Sequence, residues 1–316
     1  MSDEHLRLGE GREFDAIRAM LDEWGPRAIG VGDDAAVVSI PAGERLVVST
    51  DASVEGVHFQ RAWMSSAEIG ERAASAALSD LAAMAATPLG ILLALAVPER
   101  WQDELPELAR GVGWAAARAR CLIIGGNLTR GSELSLTLTV LGSAAEPLGR
   151  AGARPGDRLF VTGRLGGPGA ALRELLAERT PTPEDRARFV APAPRLDEAR
   201  WLAARGAHAA IDISDGLLAD AAHLARASGV TLALDLAAIP RVDGVTADEA
   251  ASSGEEYELL VAMPPEAALD VDAFVGEFGI PLTDVGRVME LGAELVGTDG
   301  VAPSPPLGHD HLRDAR

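Results

Sequence analysis

Between residues 12 and 24 the apolar side chains Phe14, Ile17, Met20, Leu21 and Trp24 recur at helical spacing, which predicts a surface helix packing one stripe inward. Two β-type runs follow, 35–39 and 45–50, and an antiparallel pairing across residues 40–44 would bring Asp33, Asp34 and Asp51 to one end of the pair. Ser65-Ser66-Ala67-Glu68 has the spacing of a capping box and opens an Ala-rich helix expected to run to about Ala86, with Pro88 ending it. The apolar run 89–97 reads as a buried strand and 103–120 as a helix. Residues 121–127 predict a strand running into Gly125-Gly126-Asn127, where the glycines permit a ligand to approach the backbone; 133–142 alternates as a further strand.

The stretch 144–157 is rich in Gly, Pro and Arg, and it divides the chain into expected domains 1–145 and 146–316. The second opens with a strand at 158–162 and the loop G-R-L-G-G-P-G before a helix, a loop that either holds phosphate on its amides or is an ordinary tight turn. Residues 177–195 look like an excursion connecting helices. A-A-I-D-I-S-D-G-L-L-A-D reads as a strand entering a helix through a turn bracketed by Asp212 and Asp215. S-S-G-E-E-Y-E-L-L-V-A-M is a Gly-led acidic turn entering a strand, and T-D-V-G-R-V-M-E is another strand. Strands and helices mixed in both halves predict a two-domain α/β (α+β) protein.

Composition narrows the chemistry. The length of 316 residues suits two cores, and no apolar run reaches membrane-spanning length. The polar start M-S-D-E-H-L-R lacks the features of a secretory signal, so the chain reads as a soluble cytoplasmic protein without a membrane partner. A net charge of −20 argues against nucleic acid. All 28 basic residues are arginine, which excludes a Walker-type lysine, a protein-kinase ATP lysine and a Schiff base. The single Cys121 excludes an internal disulfide and a Cys-based zinc cluster. His223 lies on a helical run and reads as packing or capping.

Six aspartates stand out at strand ends and turns or within an Ala-rich helix: Asp33, Asp34, Asp51, Asp80, Asp212 and Asp215. Close carboxylates repel unless cations sit between them, and an all-oxygen donor set selects Mg²⁺ or a similarly hard ion. Mg²⁺ held in this way shares its shell with substrate phosphates, which points to phosphoryl transfer.

G-D-D-A-A-V-V, S-T-D-A-S-V-E-G-V-H-F, L-S-D-L-A-A-M, I-I-G-G-N-L-T-R-G, G-A-R-P-G-D, I-D-I-S-D-G-L and S-G-E-E-Y-E-L resemble, in order and spacing, the thiamine-monophosphate kinases. That family is related to aminoimidazole ribonucleotide synthetase and selenophosphate synthetase. The resemblance covers nearly the whole chain. It implies an α/β N-terminal domain carrying metal and nucleotide contacts, whose sheet pairs across a homodimer, and an α/β C-terminal domain with nucleotide and substrate contacts. The implied reaction is Mg²⁺-assisted, in-line transfer from ATP to thiamine monophosphate, the last step toward thiamine diphosphate, with several Mg²⁺ ions and no general base. Carried over by position, Asp33, Asp34, Ser49, Thr50, Asp51, Asp80, Asp212 and Asp215 belong to the metal site. Gly126, Asn127, Arg150 and Ser214 face the nucleotide, and His58 and Glu255 face the thiamine phosphate.

The chain departs from the family pattern at Ala77, Asn127, Ser253 and Glu256, and near its end, where an aromatic is common, it has His309 and Leu312. Two alternatives stay open beside the kinase: a nucleotide-binding pseudoenzyme of the same fold, and a related ATP-dependent synthetase acting on another small molecule.

Overall fold

Helix α1 (Arg12–Trp24) forms over the residues its periodicity predicts and buries Met20, Leu21 and Trp24. The Trp24 indole N–H donates to the Ala109 carbonyl at 2.8 Å, which satisfies its one polar atom in the core. The computed structural model describes residues 8–267 and 269–298. Its chain divides into two compact units, one of residues up to Leu81 with Ala86–Pro147, the other of Ala82–Ala85 with the chain from Leu148 onward.

In the first unit β1 (Arg45–Val54), α2 (Ser66–Ala83), β2 (Thr87–Val97), α3 (Leu105–Arg118), β3 (Leu122–Arg130) and β4 (Ser135–Ala144) follow in sequence. Among the described residues the sheet order is β1-β4-β2-β3; β2 and β3 run parallel and the other pairs antiparallel. Alternation along β2 and β4 buries Ile91, Leu93, Leu95, Leu136, Leu138 and Val140 on one face. On the other face Leu46 and Val48 of the edge strand β1 remain 45% and 53% exposed.

The expected cap of α2 is present: the Ser65 N–H reaches the Glu68 carboxylate at 2.8 Å, and the Glu68 N–H reaches the Ser65 hydroxyl at 3.3 Å. Helices α2 and α3 meet through glycines. A methyl group at Gly70 would lie 2.1 Å from the Leu108 carbonyl oxygen, and one at Gly111 would lie 1.8 Å from that of Ala67.

Three expectations are corrected here. Residues 35–39 form no strand, and Val37 is 97% exposed; β1 takes β4 as its partner, with Asp51 opposite Leu138. Helix α2 stops at Ala83, and left-handed Ala85 (φ 52°) turns the chain; Pro88 sits inside β2, beside a register shift. Strand β3 does not end at its glycines but passes through them to Arg130.

The second unit contains β5 (Arg158–Thr162), α4 (Gly167–Leu176), α5 (Pro183–Val190), α6 (Leu196–Ala203), β6 (Ala209–Asp212), α7 (Leu217–Ser228), β7 (Thr231–Leu234), α8 (Ala247–Ser252), β8 (Leu259–Met263), α9 (Val271–Phe278), β9 (Leu282–Met289) and β10 (Leu295–Gly297). The described strands order as β10-β7-β9-β5-β8-β6. One core on this sheet gathers Leu159, Val161, Ile211, Leu232, Leu260 and Val285 with α7, and the other gathers Phe160, Leu259, Val261, Trp201 and Phe274. The excursion at 177–195 holds α5, capped by Thr182, whose side chain accepts the Asp185 N–H.

Because β6 and β8 are antiparallel, with Asp212 opposite Leu259, the turn after β6 and the turn before β8 lie at the same end of the sheet. That pairing places the second unit's candidate chemistry. No helix among the described residues is long and apolar enough to cross a membrane.

Candidate functional site

In the first unit, Ser49 of β1 donates its hydroxyl to the Asp80 carboxylate of α2 at 2.5 Å. Asp51, two residues on, faces the same side of the sheet by strand alternation, and its carboxylate accepts the Ala52 N–H at 2.8 Å. Ser49, Asp51 and Asp80 therefore share the helix-covered face. Thr50 alternates to the opposite face, where its Oγ1 accepts a hydrogen bond from the Thr139 hydroxyl at 3.2 Å.

Asp33 and Asp34 lie in the loop that leads into β1. Their exposed loop follows Ala28, which bridges to Ile123, and the Ile29 N–H donates to the Ile123 carbonyl at 3.0 Å, so the loop departs from the β3 edge and not from β1. Gly126 and Asn127 lie on β3 opposite Leu93 and Ala94. Strand β3 is three strand spacings, ~14 Å, from β1. The close approach that Gly126 permits is to the sheet itself: a methyl group there would sit 2.0 Å from the Leu93 carbonyl oxygen. Within one chain, then, Ser49, Thr50 and Asp51 on β1 and Gly126 and Asn127 on β3 lie on opposite edge strands of the sheet.

His58 belongs to a tight turn after β1. Its N–H donates to the Val54 carbonyl at 2.9 Å, while its Nδ1 accepts the Val54 N–H at 3.1 Å, which in the neutral ring puts the proton on Nε2. Glu55 anchors this turn by accepting the Trp101 indole N–H at 2.9 Å and an Arg100 N–H at 2.8 Å. Burial works to raise the Glu55 pKa, but the bonds from Trp101, Leu134 and Arg100 hold it below the usual carboxylate range.

In the second unit the turns at 213–216 and 252–258 are laced together. The Glu255 N–H donates to the Ser214 carbonyl at 2.6 Å, the Tyr257 N–H to that of Ile213 at 2.8 Å, and the Ile213 N–H to that of Glu258 at 2.7 Å. Asp212, Ser214, Asp215 and Glu255 are thereby brought to one place. Gly216 (φ 107°) caps α7 without a side chain. The turn ahead of the helix is tied to it by the buried Asp220 carboxylate, which accepts the N–H groups of Ser214 at 2.9 Å and Asp215 at 3.0 Å. Burial pushes the Asp220 pKa up to about 7; the backbone bonds oppose this and the charges of Asp212 and Asp215 add to it. Arg150 is placed at the other end of α7: the Gly149 carbonyl accepts the Ala210 N–H at 3.0 Å, and the Arg150 carbonyl accepts the hydroxyl of Ser228, the last residue of that helix, at 2.7 Å, so its backbone lies away from the 213–216 turn.

Family models for AIR synthase related proteins match this chain over residues 32–144 for the N-terminal domain and 154–296 for the C-terminal domain. A thiamine-monophosphate kinase of Salmonella typhimurium is 35% identical over 95% of this chain and 96% of its own length. The chain belongs to the thiamine-monophosphate kinase family. A member from Escherichia coli is 33% identical over 95% of this chain and 96% of its own. Among solved structures, the thiamine-monophosphate kinase of Stenotrophomonas maltophilia superimposes with a TM-score of 0.81 at 34% identity, covering 94% of this chain and 98% of that one. A structure described as AaThiL complexed with AMPPCP and TMP gives 0.78 at 30% identity, covering 97% and 99%. The hydrogenase maturation protein HypE shares the fold at 19% identity with a TM-score of 0.77.

Against the family pattern, Ala77 is fully buried in α2 and Asn127 is exposed on β3, while Ser253 and Glu256 are buried and bonded to each other. His309 and Leu312 lie outside the described residues. No group of three or more His, Cys, Asp or Glu poised around one metal position occurs among the described residues. The donors nonetheless fit a hard cation in kind, being carboxylate and hydroxyl oxygens in both units. The sequence reading overlooked Asp220 and Glu258. Glu258 is buried, accepts the Thr162 hydroxyl and the Arg195 Nε–H, each at 2.7 Å, and its partner Arg195 is raised in pKa despite its own burial. The signal available was an acid inside an otherwise apolar run, L-L-A-D-A-A and Y-E-L-L.

The glycine loop before α4 is also explained. The Glu256 carboxylate accepts the Gly166 N–H at 2.6 Å and the Ser253 hydroxyl accepts the Gly169 N–H at 3.1 Å, so two amides that could cradle phosphate are already bonded to protein.

Proposed function

We propose that this chain transfers the terminal phosphoryl group of ATP to the phosphate of thiamine monophosphate, giving ADP and thiamine diphosphate by in-line displacement. The supporting observation is the laced pair of turns in the second unit, which sets Asp212, Ser214 and Asp215 beside Glu255, together with membership of a family whose named members are thiamine-monophosphate kinases. An oxygen of the acceptor phosphate forms the new bond to phosphorus as the bond to the ADP oxygen breaks. That oxygen is already anionic, so no general base is required, and the residues must align two polyphosphate groups and screen their charge.

Ser49, Asp51 and Asp80 in the first unit, with Asp33, Asp34 and the Thr50 carbonyl, and Asp212 and Asp215 in the second, are the groups that would hold Mg²⁺. Bound Mg²⁺ would neutralise phosphate charge and orient both reactants. Gly126, Asn127, Arg150 and Ser214 contact the nucleotide. His58 and Glu255 contact the phosphate of thiamine monophosphate. A homodimer joined through the first unit's sheet accompanies this function.

Purified protein incubated with ATP, Mg²⁺ and thiamine monophosphate is expected to form thiamine diphosphate and ADP in equal amounts. Nucleotide binding without product at any Mg²⁺ concentration would favour a pseudoenzyme of the same fold, and product only with a different acceptor would favour a related synthetase.

A further inference from the structure

The segment Ser253–Tyr257 holds two non-glycine residues in the left-handed region, Glu255 at φ 62° and Tyr257 at φ 53°. Side chains rarely adopt this conformation, and it persists only where surrounding contacts over-determine it. The Ser214 and Ile213 carbonyls restrain the segment from one side. From the other side the restraint is two buried side chains. Glu256 and Ser253 are 7% and 5% exposed, the Ser253 hydroxyl donates to the Glu256 carboxylate, and the same two oxygens accept the Gly166 and Gly169 N–H groups. Gly166 is the N-cap of α4 and offers no side chain of its own, so the cap of this helix comes from another loop. A methyl group at Gly169 would lie 2.6 Å from the Ser253 hydroxyl oxygen, so that glycine is what lets the loop seat. With Glu256 turned inward, Glu255 is carried outward beside Ser214.

We infer that Glu256, acting with Ser253, is a positioning residue: the pair fastens the 253–257 loop to the first turn of α4 and thereby presets Glu255 for the substrate. The inference rests on the substrate contact proposed for Glu255. The bonds it invokes are within the second unit and involve none of the groups proposed to hold Mg²⁺.

The test compares Ser253→Ala, Glu256→Ala, the double variant and Glu256→Gln, by thermal unfolding and by steady-state kinetics against thiamine monophosphate. Gln keeps the acceptor oxygen for Gly166 and Ser253, so Glu256→Gln should keep a KM within about threefold of wild type, whereas Glu256→Ala and Ser253→Ala each raise KM about tenfold, with kcat changed much less. The double variant should be hardly worse than Glu256→Ala, in unfolding and in KM alike, because one bonded unit is lost only once. Additive losses, an unchanged KM in the Ala variants, or a Gln variant as impaired as Ala would each overturn the inference. A wild-type protein that makes no thiamine diphosphate overturns the functional reading instead, and the unfolding cycle still decides whether the two side chains act as one unit.

Discussion

Asp51 is half-buried on β1 and is not among the side chains that fill the first unit's core. Asp51→Ala should therefore leave unfolding within about 0.5 kcal/mol of wild type while abolishing formation of thiamine diphosphate. Retention of near-normal turnover would remove Asp51 from the metal site. Glu256 is the opposite case, a carboxyl whose environment matters to the fold. Burial pushes its pKa from 4.5 to about 8, against the bonds from Ser253 and Gly166; Glu258 adds to the shift and Arg188 opposes it. Its folded pKa is raised, so the folded state binds the proton more tightly than the unfolded state does. The stability this contributes is complete below about pH 4.5 and is lost as pH rises toward about 8. Glu256→Gln removes that titration, and denaturant unfolding across this range should show a shallower loss of stability with pH in the variant. Parallel curves for the two proteins would count against the raised pKa.

At the scale of elements, α2 and α3 cross where neither can carry a side chain at the contact. The 1.8 Å separation between a methyl group at Gly111 and the Ala67 carbonyl oxygen involves backbone, which cannot swing aside as a flexible side chain would. Gly111→Ala must push the helices apart and should destabilise the first unit by about 3 kcal/mol, the upper range for overpacking. Chemical denaturation would detect it, and a loss below the error of that measurement would mean the helices have room to shift. The same scale explains which parts of the site could be read in advance. Strand β6, its turn and α7 are contiguous, so Asp212, Ser214 and Asp215 announce themselves in one stretch. The bonds from Asp220 and from the 253–258 loop that hold this turn come from later in the chain, and no local pattern displays them.

For the whole molecule, β1 is an edge strand with Leu46 and Val48 exposed beside it, a surface that a second copy of the chain would cover. Light scattering at micromolar concentration should give a dimer, and Val48→Arg should shift it toward monomer; a wild-type monomer would refute the pairing. Local signals were enough to determine α1, the capping box of α2, the buried run of β2, strand β5 and the carboxylate turn after β6, because periodicity, caps and glycines act over a few neighbouring residues. That the candidate donors are all oxygen was legible for the same reason, since residue type alone fixes it. Partner choice was not. Tertiary structure decided that β1 pairs with β4 and not with residues 35–39, which leaves Asp33 and Asp34 in an exposed loop that begins beside β3 and ends at β1. It decided that Thr50 turns its hydroxyl from Ser49 and Asp51, and that Ser253 and Glu256 cap a helix distant in sequence. Strand pairing and trans-capping depend on which distant segments compete for the same backbone donors and the same buried surface, and that competition is settled only when the whole chain packs.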